Sequence, residues 1–182
     1  MSFVNELEDE DIEDEVADMG SLYHGMAQAN LTGLLIHEER FAVITELSLD
    51  ASQIDLSQFG LKVKDELKPD VCVYIVLPEH EQTKTVEKAD TDIVKVSKMP
   101  DLAIEVLSPT QSVNALLRKF DAFFALGVKS CWLVMLALEE VRVFSKPRSY
   151  KIFDVQRDTE VIDEIMAIRQ PIQKIFKRKL CF

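Results

Sequence analysis

The chain reads as a mixed α/β (α+β) domain, a central mixed β-sheet flanked by helices. Three observations predict it. Two apolar, β-branched runs at 70–77 and 102–107 are bounded by prolines and read as strands. The second leads into an amphipathic helical stretch at 108–126 and then an apolar run around Trp132, a strand–helix–strand unit. Shorter apolar segments downstream supply returning strands.

One domain suffices for 182 residues, because domains usually run to about 100–200. Residues 21–182 are read as that domain and residues 1–20 as an acidic, flexible head. Nine acids (Glu6, Glu8, Asp9, Glu10, Asp11, Glu13, Asp14, Glu15, Asp18) fall in the head, which has no Lys or Arg; without them the net charge of -11 shrinks to -2. The body is therefore near neutral and the head solvated. Lys174, Lys177, Arg178 and Lys179 form a basic cluster near the other end, either a solvated end or a phosphate contact. The 3 cysteines, Cys72, Cys131 and Cys181, contain no C-x-x-C pair, which argues against zinc. An odd count with no disulfide framework points to a reducing cytoplasm. The N-terminus lacks the basic-then-apolar pattern of a signal peptide. No apolar stretch approaches the ~20 residues of a membrane span, so no membrane contact is expected.

Taken in order, residues 21–38 place Leu22, Met26, Ala29, Gly33 and Ile36 at helical steps, although Gly25 and Gly33 weaken the helix. Residues 40–50 alternate Phe41, Val43, Thr45, Leu47 and Leu49 against Ala42, Ile44, Glu46 and Ser48, as in a strand. Residues 51–60 read as a polar connection, 79–96 as a loop with a short helix, and 62–66 are too charged to assign. Within 108–126 the apolar stripe is Val113, Leu116, Phe120, Phe123 and Phe124, with Gly127 as the stop. Strands follow at 128–137, 141–145 and 150–155, with a turn at Glu139-Glu140. Residues 159–168 form a short helical or extended segment.

Chemistry belongs to the charged residues set inside apolar elements. Glu105 lies in Leu102-Ala103-Ile104-Glu105-Val106-Leu107. A strand apolar throughout usually has both faces covered. A carboxylate there is costly unless paired, hydrogen-bonded or bound to a cation; on an edge strand it would point into water instead. Asp70 follows Pro69, where a turn or strand-entry Asp is common. If neighbouring strands bring the two acids close, a proton or a cation must sit between them. A hard cation such as Mg2+ is held by one or two carboxylates plus waters and substrate phosphate. Lys119 borders the helical stripe. It is either a snorkelling side chain or an ammonium over the carboxylates, orienting a water or steadying phosphate charge. Glu46 is either a third ligand or, the favoured reading, an exposed acid. His24 and His37 have no ligand at three- or four-residue spacing and read as surface or helix-end residues. Trp132, Phe123 and Phe124 read as core.

These residues also carry a resemblance. The run Lys68-Pro69-Asp70-Val71-Cys72-Val73-Tyr74, followed by Pro100-Asp101-Leu102-Ala103-Ile104-Glu105-Val106-Leu107-Ser108-Pro109, resembles the Uma-two family of restriction-endonuclease-like proteins of cyanobacterial type. The likeness continues through Lys119, Gly127-Val128 and Trp132-Leu133-Val134 and spans roughly residues 22–154. That family is similar to the PD-(D/E)XK nuclease superfamily. The resemblance therefore implies a restriction-endonuclease-like core and Mg2+- (or Mn2+-) dependent hydrolysis of a DNA phosphodiester. It matches Asp70 to the Asp of the PD element, Glu105 to the acid of (D/E)XK, and Val106 to the X, whose backbone carbonyl adds a metal ligand. Leu107 stands where the lysine is expected, and the resemblance implies that the lysine has moved to the next helix as Lys119. Phe123 replaces a frequent Tyr, and Ser130-Cys131 an acid or aromatic pair; neither departure removes a proposed ligand.

The expectation is a metal-dependent endonuclease acting on DNA. A homodimer is plausible, since cutting two strands takes two sites and C2 dimers are common. The charge pulls the other way, because proteins that grip duplex DNA usually present a basic face. A rival reading is thus a catalytically silent nuclease fold acting as a binding or assembly module. A weaker one is a nuclease for single strands or RNA. The acidic head could compete for the DNA groove as an internal mimic.

Overall fold

The computed structural model describes residues 21–78, 86–89 and 92–178; the acidic head, Lys179 and Cys181 lie outside the described residues. Helix α1 (Leu22–Ile36) leads into β1 (Ala42–Thr45), β2 (Leu49–Asp50), a 3-10 turn (Leu56–Phe59), β3 (Glu66–Leu67) and β4 (Val71–Tyr74). Then come β5 (Val86–Ala89), β6 (Asp92–Val96), β7 (Leu102–Leu107), α2 (Val113–Ala125) and β8 (Ser130–Met135). The described chain closes with β9 (Glu140–Lys146), β10 (Ser149–Asp154), β11 (Glu160–Asp163), β12 (Ile168–Pro171) and α3 (Ile172–Ile175). The main sheet has the order β1-β4-β7-β8-β9-β10. Only β7 and β8 run parallel in it, and α2 is their crossover. A smaller sheet, β3-β2-β6-β5, and the hairpin β11-β12 complete the fold, which is the mixed-sheet architecture the sequence predicts.

Alternation along β4, β7 and β8 sends successive side chains to opposite faces. On one face α1 lays Ala27, Leu31 and Leu35 against Val71, Val73, Ile104 and Trp132, and the β11-β12 hairpin and α3 extend this core. On the other, α2 lays Leu116, Phe120 and Phe123 over Cys72, Tyr74, Ala103 and Leu133. Both helices begin at serine caps: Ser21 Oγ accepts from His24 N at 3.3 Å and Ser112 Oγ from Ala115 N at 3.1 Å. Gly127, at φ 99, ends the second helix in a conformation that L side chains resist. Cys72 and Cys131 are buried free thiols. Among the described residues no helix is long and apolar enough to cross a membrane.

Several elements differ from the sequence reading. Helix α1 is rolled: its buried line is His24, Ala27, Leu31 and Leu35, while Leu22 and Ile36 of the expected stripe are exposed. Both lines have helical spacing. The expected one contains Ala29 and Gly33, whereas the observed one buries two leucines and removes more apolar area from water. The expected strand at 40–50 breaks at Glu46, which takes φ 53 and donates its N–H to the Asp70 carbonyl at 3.1 Å. Beyond that kink the chain pairs as β2 with β3 and β6, so Glu46 does not share a strand face with Ser48. The polar connection holds the 3-10 turn, and Glu66 and Leu67 make β3. In place of a short helix, 86–96 contributes the β5-β6 pair, its period obscured by charged residues; 79–85, 90 and 91 lie outside the described residues. Likewise 159–168 resolves into β11 and the turn before β12, with Ala167 at φ 53.

Three sets of interactions fasten the C-terminal segment. Buried Asp163 accepts from Ser130 Oγ at 2.6 Å, Trp132 Nε1 at 2.8 Å and Met166 N at 3.0 Å, latching the hairpin to β8. Asn30 Nδ2 donates to the carbonyls of Ile175 and Lys177 at 3.1 and 2.9 Å, and the Arg178 guanidinium lies 3.9 Å from the Tyr23 ring centroid. Removing the Asp163 carboxylate leaves Trp132 Nε1 and Met166 N without their acceptor, while Ser130 Oγ keeps the Phe144 carbonyl at 3.2 Å. Asp163→Ala is expected to lower the free energy of unfolding by about 3 kcal/mol. Urea titration of the variant against the parent chain measures it, and a change under about 1 kcal/mol would contradict the latch.

Candidate active site

Strand β7 pairs with β8 through all six residues but with β4 only through Leu102–Ile104. Its last three residues therefore run past the end of β4. Glu105 lies in this overhang, 2% exposed and interior to the sheet, so the edge-strand reading does not hold. Continuing the register that sets Val71 opposite Ile104 places Asp70 across from Glu105. The Asp70 carboxylate stands in for the missing strand: Val106 N–H donates to Oδ2 at 2.6 Å.

Lys119 comes down from α2 on the same face. Its Nζ lies 2.6 Å from Glu105 Oε1 and donates to the Lys68 carbonyl at 2.8 Å. The ammonium thus joins the overhang of β7 to the approach of β4. Among the described residues Glu105 Oε1, fully buried, is met by the Lys119 ammonium alone, a charge pair at hydrogen-bonding distance. The side chain is 20% exposed, with its head inside the site and not in bulk water.

From the opposite face, α1 brings two residues that the sequence reading missed. His24 Nε2 lies 3.3 Å from Asp70 Oδ2, and Gln28, one turn on, donates to the Asp70 carbonyl at 2.9 Å. His24 is buried in the first turn of α1, so the helix-end alternative fits and the surface one does not. The available signal was spacing: His24 and Gln28 stand at i and i+4, with Leu31 and Leu35 continuing that side of the helix. Glu46 is exposed at the rim, its Oε1 3.5 Å from Gln28 Nε2 and its Oε2 3.5 Å from Lys68 Nζ. Trp132 and Phe123 are buried and Phe124 is partly buried.

Burial pushes the Glu105 carboxyl up to about 7, and the nearby Asp70 charge adds to this, while the Lys119 and His24 charges oppose it. The hydrogen bond to Asp70 holds His24 above its ordinary value despite burial, with Val106 and Glu105 adding to the rise. Burial raises the Cys72 and Cys131 thiols, making them poor ligands and nucleophiles. Among the described residues no group of three or more His, Cys, Asp and Glu gathers as a ready-made metal cage. The groups able to hold a hard cation are the Asp70 and Glu105 carboxylates and the Val106 carbonyl, an all-oxygen set that fits an ion retaining waters.

A carboxyl raised in the fold stabilises it fully below its ordinary value of 4.5, and that contribution is lost as pH rises through about 7. Glu105→Gln is therefore expected to leave stability near pH 4 unchanged. At pH 8 it should raise stability by on the order of 1–3 kcal/mol. Urea unfolding at the two pH values checks this, and equal stability of variant and parent at pH 8 would contradict it.

A comparison with curated proteins gives no match. Among solved structures, one described as a putative nuclease belonging to DUF820 from Anabaena variabilis superposes with a TM-score of 0.64 at 17% identity. The alignment covers 88% of this chain and 83% of that one, and it shows a shared fold. The model of the Uma2 family, described as "Putative restriction endonuclease", matches residues 6–171. The chain, with Asp70, Glu105 and Lys119 all inside that match, belongs to the Uma2 family.

Proposed function

We propose that the chain is a divalent-metal-dependent nuclease that hydrolyses DNA phosphodiesters. The observation that carries this reading is the apposition of Asp70 and Glu105 at the overhanging end of β7, with the Lys119 ammonium 2.6 Å from the buried Glu105 Oε1. Asp70, Glu105 and the Val106 carbonyl would hold Mg2+ or Mn2+. The ion, when bound, acidifies a water and offsets charge on the phosphate. The Glu105 carboxylate serves in its ionised form, which Lys119 favours. Lys119, held by the Lys68 carbonyl, offers a fixed positive charge to the attacked phosphate and to the water beside it. The family description and the nuclease description of the structural neighbour support the same reading. It extends to a homodimer, with one site for each strand of a duplex, in a reducing cytoplasm where Cys72 and Cys131 stay free.

The near-neutral charge of residues 21–182 favours a second reading, a nuclease fold retained for binding or assembly. Metal titration separates the two. The nuclease reading expects Mn2+ binding that strengthens as pH rises through about 7, with proton release, because the ion requires ionised Glu105. No binding at millimolar Mn2+ would favour the assembly reading. With Mg2+ or Mn2+ and a supercoiled plasmid, Asp70→Ala and Lys119→Ala should each slow cleavage about 100-fold or more. Cleavage unaffected by both substitutions would remove these residues from the chemistry.

A further inference from the structure

Asp70 stands one residue before β4, so ladder pairing does not fix its side chain. Two groups hold that carboxylate, both at Oδ2: the Val106 N–H at 2.6 Å and His24 Nε2 at 3.3 Å. No hydrogen bond reaches Oδ1 among the described residues. One hydrogen bond leaves a carboxylate free to swing about it, and a second contact from another direction removes that freedom. Helix α1 supplies the second contact accurately. His24 lies in the first turn, its own N–H taken by Ser21 Oγ, while Gln28 grips the carbonyl of the same aspartate. Ala27, Leu31 and Leu35 already bury this helix against the sheet, so docking the helix does not require two polar contacts on one acid.

We propose that His24 is a positioning residue: it fixes the Asp70 carboxylate so that Oδ1 is presented, with Glu105, to the divalent cation. This rests on the metal site proposed above. Glu105 and Lys119 belong to the face covered by α2, whereas His24 arrives from the face covered by α1. The imidazole therefore acts through the aspartate and leaves the ion to oxygen donors. Partners of this kind around ligating groups are worth 10- to 100-fold in metal affinity.

The experiment is Mn2+ titration of the full chain, followed by calorimetry and by the free-ion electron paramagnetic resonance signal. His24→Leu should weaken Mn2+ about 10- to 100-fold while melting near the parent temperature without metal. His24→Gln, whose amide can still reach Oδ2, should recover part of the loss. Pulsed resonance of the parent complex should show no directly bound nitrogen. Parent-like affinity of His24→Leu, or an imidazole nitrogen on the ion, overturns the proposal while leaving the metal site standing. If His24→Leu does not fold, His24→Asn takes its place: its shorter amide falls short of Oδ2, and parent-like affinity there is equally fatal. A parent chain that binds no Mn2+ overturns the metal site itself, and this inference with it.

Discussion

Burying a carboxylate inside a six-stranded sheet is the constraint around which this end of the molecule is organised. Glu105 gives up its hydration because β8 pairs it on one side, Asp70 fills the vacated edge on the other and α2 lies above it. The loss is offset by one ammonium, and by that ammonium's own attachment to the backbone ahead of β4. Everything nearby answers to this placement. β4 stops short, Asp70 occupies the vacated edge, and the chain turns away at Glu46 because its amide is engaged by Asp70's carbonyl. Such a site is held in an electrostatically unrelaxed condition, with two acids on adjacent strands and Glu105 biased toward its protonated form.

The central unit was legible because its signals are local and redundant. Prolines bracket the β7 run, Gly127 ends the helix, and the apolar run around Trp132 has the length of a covered strand. The pairing of Asp70 with Glu105 and the reach of Lys119 followed from the order of elements, and the coordinates bring the three together. Glu46 was readable only as an alternative, because its left-handed backbone is dictated by a hydrogen bond to a residue 24 positions later. The β5-β6 pair was missed since Lys95 and Asp92 blur an alternation that only Val96 settles by burial.

Helix α1 shows a different limit. Two lines of residues on it satisfy the same period, and a single sequence does not say which one meets the sheet. The purely apolar line fits the period and does not include His24. The structure selects the line with the greater leucine content and carries a histidine and a glutamine along with it to the acid. A polar residue that continues a buried stripe is thus informative at the end of a helix, where the stripe runs off the core and into a site.

The contact between Asn30 and the carbonyls of Ile175 and Lys177, with Arg178 stacked on Tyr23, sets the two ends of the described chain against each other. Topologically the domain is close to a ring. A circular permutant joined there by a short flexible linker and reopened at the tight turn around Arg148 would retain every strand pair of the main sheet except the β9–β10 hairpin connection. The pairing of the main sheet would then rest on ladder and side-chain contacts and not on the covalent link at the β9–β10 turn.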